Sequence, residues 1–359
     1  MDETLAEHIK LTADKGFSRD QIKKLLLTAG WPEKQVEDYI EKAFKKLDKG
    51  TLIQVHGIAK SFADHIVLEQ VDFEVKQGEI FGLIGMSGTG KTTLMNLLVG
   101  FIRPDHGDIL LAHPDGTTKS TIQNPDSIKH LIGFSTQNPS FYPKLTVREN
   151  LEHFARLYGL TDPDLTRRVN ALLDLVQLTP ARDNIATHLS GGMQKRLDIA
   201  CALVHDPQIL ILDEPTADLD PILRKQLWEL IRQINSKGTT IILASHFLAE
   251  IELLCTRIAI LKHGKILELG TAQELRDIYS KKYEIFLQTN SRKYEPLIND
   301  LKRKYMTTTT IEEGELIIQT PYPERALSLI TSRVSRGDLE SLHVTRPTLG
   351  RVFEAVVKR

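Results

Sequence analysis

Between residues 51 and about 275, short apolar runs bounded by turn residues alternate with stretches of helical spacing. Ile80-Phe81-Gly82-Leu83-Ile84, Ile209-Leu210-Ile211-Leu212 and Thr240 to Ala244 have the length of strands and no polar alternation. Such runs fit parallel strands buried on both faces. Interleaved with helices, they predict an α/β core. The first 48 residues read differently. Ser18 followed by Gln21 is a capping pattern opening a helix through Ile22, Leu25 and Leu26, with Gly30 at its stop. Pro32 suits the first turn of a second helix through Val36, Tyr39, Ile40, Ala43, Phe44 and Leu47. A helix around Leu5 and Ile9 completes an expected three-helix module over 1–48.

Beyond residue 279 a third pattern begins. Tyr283 to Gln288 alternates as a strand, and a helix follows through Leu297, Ile298 and Leu301. Thr307 to Ile311 and Glu315 to Gln319 predict a hairpin around Glu313-Gly314. Pro323 opens a helix through Leu327 and Ile330, and Leu339, Leu342 and Val344 close the set. The order βαββαβ predicts a small ferredoxin-like α+β accessory domain over 279–359. At the other end, Gly16-Phe17-Ser18 followed by two short helices resembles ubiquitin-associated-type domains. A plain helical packing or docking module is the competing reading.

Composition narrows the classes. The 359 residues exceed one compact domain, so two or three are expected. The formal net charge of -1 offers no global basic surplus for nucleic acid, and none is expected as a partner. Two cysteines, Cys201 and Cys255, make no framework and no CxxC pair. Cys201 lies in an apolar run and reads as a core thiol in a reducing compartment. Met1-Asp2-Glu3-Thr4 is acidic and polar, unlike a secretory signal. No stretch reaches the roughly 18 apolar residues of a membrane helix, so a membrane role would need a separate spanning subunit.

Gly85-Met86-Ser87-Gly88-Thr89-Gly90-Lys91-Thr92 matches GxxxxGK[ST], after an apolar strand and before a helix expected near Thr93. Glycines let the backbone wrap phosphates where side chains would collide. Successive N–H groups and the helix start then face the anion. The ATP-binding set is therefore Gly85, Ser87, Gly88, Thr89, Gly90, Lys91, Thr92 and Thr93. Lys91 would reach the β/γ-phosphates, and the Thr92 hydroxyl would ligate Mg²⁺. Asp213-Glu214 ends a strand and delivers two carboxylates to the sheet edge where open α/β sheets bind ligands. Asp213 would hold Mg²⁺, and Glu214 could take the proton of the attacking water.

Leu189-Ser190-Gly191-Gly192-Met193-Gln194, between those motifs, resembles the LSGGQ signature of the ATP-binding-cassette ATPases. The resemblance covers residues 51 to about 275, with six motifs in the family's order. It implies a P-loop NTPase of ABC type: a mixed-sheet core, an antiparallel β part and a helical signature subdomain, over 51–278. It further implies that two subunits meet head to tail, with Ser190, Gly191 and Gly192 of each capping the ATP held by the other. Gln137 matches the Q-loop glutamine, which senses Mg²⁺ or water and touches the transport partner. His246 matches the switch histidine at the γ-phosphate. Ala217-Asp218-Leu219-Asp220 matches the D-loop, reading ADLD where SALD or SGLD is commoner. Phe62 falls where the family stacks an aromatic on adenine; a core phenylalanine is the competing reading.

Tyr142-Pro143-Lys144-Leu145-Thr146-Val147-Arg148-Glu149-Asn150-Leu151 resembles the "LTV-x-ENL" stretch of cassettes serving ABC-2-type exporters. Arg346-Pro347-Thr348-Leu349-Gly350-Arg351-Val352-Phe353 is similar to their "psLedvF" ending. The resemblance implies the Mg-dependent ATPase subunit of an exporter, similar to the drug- and antibiotic-export group, with the cargo chosen by the membrane subunit. The chain would work as a homodimer with an ABC-2-type permease, peripheral on the cytoplasmic face of the cell membrane. The alternative is a soluble cassette acting on nucleic acid or ribosomes. A regulatory subunit that binds ATP and barely hydrolyses it is the third reading, opposed by Glu214 and His246.

Overall fold

The computed structural model describes residues 50–113, 117–122, 128–279, 282–304 and 307–346, with short pieces at 19–29, 31, 32, 36, 349, 350, 352 and 353. Of the expected N-terminal module only one helix is described, α1 (Arg19–Thr28), with Leu26 and Val36 buried. The capping residue Ser18, the Gly30 stop, the helix around Leu5 and Ile9 and most of the Pro32 helix lie outside the described residues.

Fourteen strands form three described sheets. The first is antiparallel, in the order β2 (His65–Lys76), β1 (Thr51–Phe62), β4 (His106–Ala112), β5 (Thr118–Ser120). The second has six strands, in the order β10 (Lys265–Gly270), β9 (Arg257–Lys262), β3 (Ile80–Ile84), β8 (Thr240–Ser245), β7 (Ile209–Asp213), β6 (Ile132–Ser135). From β9 to β6 every pairing is parallel; only the edge strand β10 runs against its neighbour. This is the mixed sheet expected of the ABC type.

Alternation inside the parallel strands explains why they read as unbroken apolar runs. Ile80, Ile84, Leu210, Leu212, Ile241 and Leu243 enter one core. Phe81, Leu83, Ile209, Ile211, Ile242 and Ala244 enter another, on the opposite face. The first face is covered by α3 (Val147–Leu157), α4 (Asp164–Leu175), α5 (Gly191–Leu203), α6 (Pro221–Ser236) and α7 (Leu248–Leu254). The second is covered by α2 (Lys91–Leu98) and the antiparallel sheet. With both faces buried, each side chain stabilises the sheet by about 1.5–3 kcal/mol, whichever way it points.

After α8 (Ala272–Tyr279) comes a third sheet, in the order β12 (Thr308–Glu312), β13 (Glu315–Thr320), β11 (Tyr283–Thr289), β14 (Leu339–Thr345). Helices α9 (Glu295–Lys304) and α10 (Pro323–Arg333) supply Leu297, Leu301, Ala326, Leu329 and Ile330 to its own core. The predicted hairpin turns at Glu313 and Gly314, at φ 50° and 87°, the left-handed pair that matches strand twist. The chain then returns to the ATPase part: Leu349 and Val352 are buried in the first core, and Phe353 packs against it. Leu349, Val352 and Phe353 of the tail that resembled an exporter ending thus belong to the cassette core.

His205, just after α5, shows how burial shifts a charge. Its ring stacks on Tyr158 at 3.8 Å, and Nε2 meets the Ile132 carbonyl at 3.2 Å. Burial, opposed by the Ile132 hydrogen bond and aided by His130 and Arg168, lowers its pKa from 6.5 to about 4. The unfolded chain therefore binds a proton that the folded chain refuses, and stability falls as pH drops from 6.5 toward 4. Discounted for partial exposure, this amounts to about 1 kcal/mol between pH 7 and pH 5. The His205→Phe variant should lose less stability over that interval, by about that amount, in urea midpoints measured at the two pH values.

Candidate active site at the carboxyl edge of the sheet

Four neighbouring parallel strands end at one edge, and each hands over a candidate residue. Strand β3 leads into residues 85–90 and then α2. The helix begins at Lys91, two residues earlier than expected, because Gly90 takes the N-cap position at φ 102°. That angle favours glycine, and a Cβ there would lie 2.8 Å from Leu68 Cδ2 and 3.1 Å from the Val67 carbonyl. The phosphate-loop residues are thereby seated on β2. Lys91 is buried, and its ammonium donates to the carbonyls of Gly85 (2.9 Å) and Met86 (3.3 Å), 3.6 Å from Glu214 Oε1. Ser87 and Gly88 are exposed, as a loop that is to close over a ligand must be.

Strand β7 brings Asp213 and Glu214. The Thr92 hydroxyl donates to Asp213 Oδ2 at 2.8 Å. Asp213 is 1% exposed and its Oδ1 has no hydrogen-bond partner. Burial raises its pKa above the usual carboxylate value, opposed by the Thr92 bond and reinforced by Glu214. A buried carboxylate oxygen lacking a donor, beside a threonine hydroxyl, fits an oxygen-liganded cation such as Mg²⁺. The structure thus brings together two of the three predicted metal residues. The third, Gln137, is exposed just beyond the end of the adjacent strand β6.

Glu214 sits at φ 51°, a left-handed conformation strained for a non-glycine residue by roughly 1–3 kcal/mol. Its carboxylate accepts from His246 N at 3.3 Å and lies 2.7 Å from His246 Nδ1, at the end of β8. A carboxylate can only accept, so Nδ1 carries the proton in this pair. Behind His246 is a buried group that sequence reading missed. Ser245 Oγ donates to Glu250 Oε2 at 2.5 Å, Trp228 Nε1 donates to Glu250 Oε1 at 3.0 Å, and Phe247 N donates to Ser245 Oγ at 3.1 Å. Burial pushes the Glu250 carboxyl up. Glu250 looked like an ordinary first-turn acid of α7; only the packing of α6 against α7 reveals its partners.

Ser190, Gly191 and Gly192 are elsewhere in the chain's architecture, on the helical layer. Ser190 is the N-cap of α5, its Oγ accepting from Met193 N. Gly192 faces Leu223, where a Cβ would sit 3.1 Å from Cδ2. Asp220, last of the ADLD motif, caps α6 through Ile222 N and Leu223 N. Phe62 is 49% exposed at the end of β1, with Lys60 Nζ 5.5 Å from the ring centroid, so it is not a core phenylalanine.

A phosphate loop on a parallel sheet, a paired acid and histidine, and a glycine-rich helix start define an ATP-binding-cassette ATPase. Residues 68–217 match the family described as ABC transporter. The linearmycin resistance ATP-binding protein LnrL of Bacillus subtilis (strain 168) is 33% identical over 84% of this chain and 97% of its own length. The Nod factor export ATP-binding protein I of Rhizobium sp. (strain N33) is 35% identical over 84% of this chain and 95% of its own. A solved ATP-binding subunit of an ABC transporter superimposes with a TM-score of 0.57 at 31% identity, covering 64% of this chain and 93% of that one. The cbiO1 structure from Clostridium perfringens, part of the ABC transporter complex cbiONQ, gives 0.58 at 25% identity over 71% and 96%. This chain belongs to the ABC transporter family, as an ATP-binding subunit with ATPase activity.

Replacing Asp213 by Asn removes a buried charge. Because burial raises this pKa, the carboxylate disfavours the folded state as pH rises through it. The Asp213→Asn variant should melt about 2–4 °C higher than wild type without nucleotide at pH 7.5. It should show no further Mg²⁺-dependent rise when ATP is added, as read by calorimetry.

Proposed function

We propose that this chain works as a dimer whose ATP hydrolysis powers export through a separate membrane permease of ABC-2 type. The observation that carries the reading is the convergence of Lys91, Thr92, Asp213, Glu214 and His246 on one sheet edge. The signature stands on a different layer of the same chain, at the N-terminus of α5. One phosphate loop and one signature per chain make two complete sites when two chains face each other head to tail. ATP bound at 85–93 would then be capped by Ser190, Gly191 and Gly192 of the second copy. Nucleotide joins the two copies and cleavage releases them, a population shift driven by differential affinity for the closed state.

In this reading Phe62 stacks on adenine and the 85–90 backbone with Lys91 holds the phosphates. Thr92 and Asp213, with Gln137, would hold Mg²⁺, which supplies charge neutralisation on the β- and γ-phosphates. Glu214 accepts the proton of the attacking water, and its strained backbone and the His246 hydrogen bond fix where its carboxylate points. His246, hydrogen-bonded to Glu214, is positioned to meet the γ-phosphate. Among the described residues no helix is long and apolar enough to cross a membrane. In this reading a separate permease holds the chain at the cytoplasmic face of the membrane. The names of its relatives, one of linearmycin resistance and one of Nod factor export, support an export role.

The Glu214→Gln variant should release phosphate at least about 100-fold more slowly than wild type while still binding ATP. With Mg-ATP it should elute as a dimer and co-purify from native membranes with a polytopic permease. Wild-type turnover in this variant would remove Glu214 as the base. Recovery only with ribosomes or nucleic acid would remove the transport reading.

A further inference from the structure

The phosphate loop is backed by a hairpin that supplies no side chain to the site described above. Strands β9 and β10 are joined by a two-residue turn, His263 and Gly264, at φ 47° and 73°. Just before the turn the Leu261 carbonyl abuts the loop: a Cβ on Gly85 would lie 2.6 Å from it. At the turn itself, a Cβ on Gly264 would lie 2.6 Å from the Val67 carbonyl and 3.1 Å from Leu68 Cα. Gly90, at the other end of the loop, meets the same two residues of β2. A Cβ there would stand 2.8 Å from Leu68 Cδ2 and 3.1 Å from the Val67 carbonyl. Val67 and Leu68 are thus pinched between two glycines, one from the turn and one from the phosphate loop. Glu69 N donates to the Gly264 carbonyl at 2.8 Å, and Lys265 Nζ lies 3.1 Å from Glu69 Oε1, which holds the turn on β2.

The same strand pair carries the aromatic platform. Lys60 pairs with Leu68, Ser61 with Ile66 and Phe62 with His65, so Phe62 stands two register steps from the pinched residues. Residues 62–66 are exposed. Strand β9, by contrast, is locked to the buried β3 by parallel pairing from Phe81–Arg257 to Ile84–Ile260. A push at the turn therefore moves the outer β1–β2 hairpin and leaves the phosphate loop in its seat. Stacking is short-ranged: a gap of about 0.5–1 Å forfeits roughly a quarter to a half of the contact. The spacing between ring and loop must be held more closely than that.

We propose that the β9–β10 turn is a positioning element for nucleotide. Gly264 sets the height of β2 against the phosphate loop, and with it the distance from Phe62 to the loop that a base and its phosphates must span. The proposal rests on the adenine-stacking role given above to Phe62.

The test compares Mg-ADP with Mg-pyrophosphate, which fills the phosphate loop and lacks a base, by titration calorimetry on the full chain. Loss of base stacking in Phe62→Ala should weaken ADP about ten-fold and leave pyrophosphate within about two-fold. Gly264→Ala should do the same without touching either ligand. The two substitutions together should cost about ten-fold rather than about a hundred-fold, since both act on one contact. Gly78→Ala is the control: at φ 76°, with nothing within 4 Å of its Cβ, it carries the backbone strain without the collision. It should bind both ligands as wild type does. If Gly264→Ala does not fold, Val67→Ala, at a half-buried position, carries the test. It opens the seat at Gly90, where a Cβ would meet Val67 Cγ1 at 3.2 Å, and should weaken ADP about three-fold with pyrophosphate unchanged. With Phe62→Ala selective for ADP, wild-type ADP affinity in Gly264→Ala would overturn the proposal alone. So would equal loss of both ligands, the sign of a displaced loop. If Phe62→Ala weakens both alike or neither, the stacking reading falls first and the proposal with it.

Discussion

Parallel pairing of β3, β8, β7 and β6 is the constraint on which everything else in this protein depends. Parallel strands place all their carboxyl ends at one edge, and that edge receives the phosphate loop, His246, Asp213 with Glu214, and Gln137 in turn. An antiparallel neighbour at any of these positions would send its residue to the far side of the sheet. The register makes the arrangement specific. Ile84 lies opposite Ser245 and Asp213 opposite Ala244, so the residues that follow project from nearly the same level. Parallel sheets need both faces covered, and the two apolar cores do this. The surroundings of the site are therefore stiff, and the strained Glu214 backbone can be held in place.

The site's electrostatics follow from burial more than from pairing. Asp213 and Glu250 are both raised by desolvation, yet each is held by neutral or short-range donors: Thr92 for one, Ser245 and Trp228 for the other. Burial thus works against the charged form of both acids, and a cation beside Asp213 would favour it. Lys91 lies 3.6 Å from Glu214, so the phosphate loop and the acid sense one another directly.

The helical layer also meets this edge. Helix α5 starts at the signature, crosses the end of β6 and holds the residues around Gln137 through Lys195 and Asp198. Leu349 and Val352, near the end of the described residues, seat themselves in the same core. The third sheet is thereby anchored at both ends, by α8 leading into it and by the tail leading out.

The sequence by itself determined the local chemistry. A glycine-rich loop between strand and helix, an acid pair ending an apolar run, a serine opening a helix before two glycines, and the βαββαβ order are all short-range patterns. Each depends on backbone geometry within a few residues. Phe62 was ambiguous because an aromatic at a strand end reads alike in core or on a surface; its exposure decided the matter. Tertiary structure alone decided what lies between distant segments. It supplied the Thr92–Asp213 bond across 121 residues, the Ser245–Glu250–Trp228 hydrogen bonds, those of Asp198 to Ser135 and Ser140 across 63 and 58 residues, and the return of the tail to the core. A buried acid at 198 or 250 looks in sequence like any helical acid. Its partners come from other elements, and only packing brings the donors that make its burial tolerable.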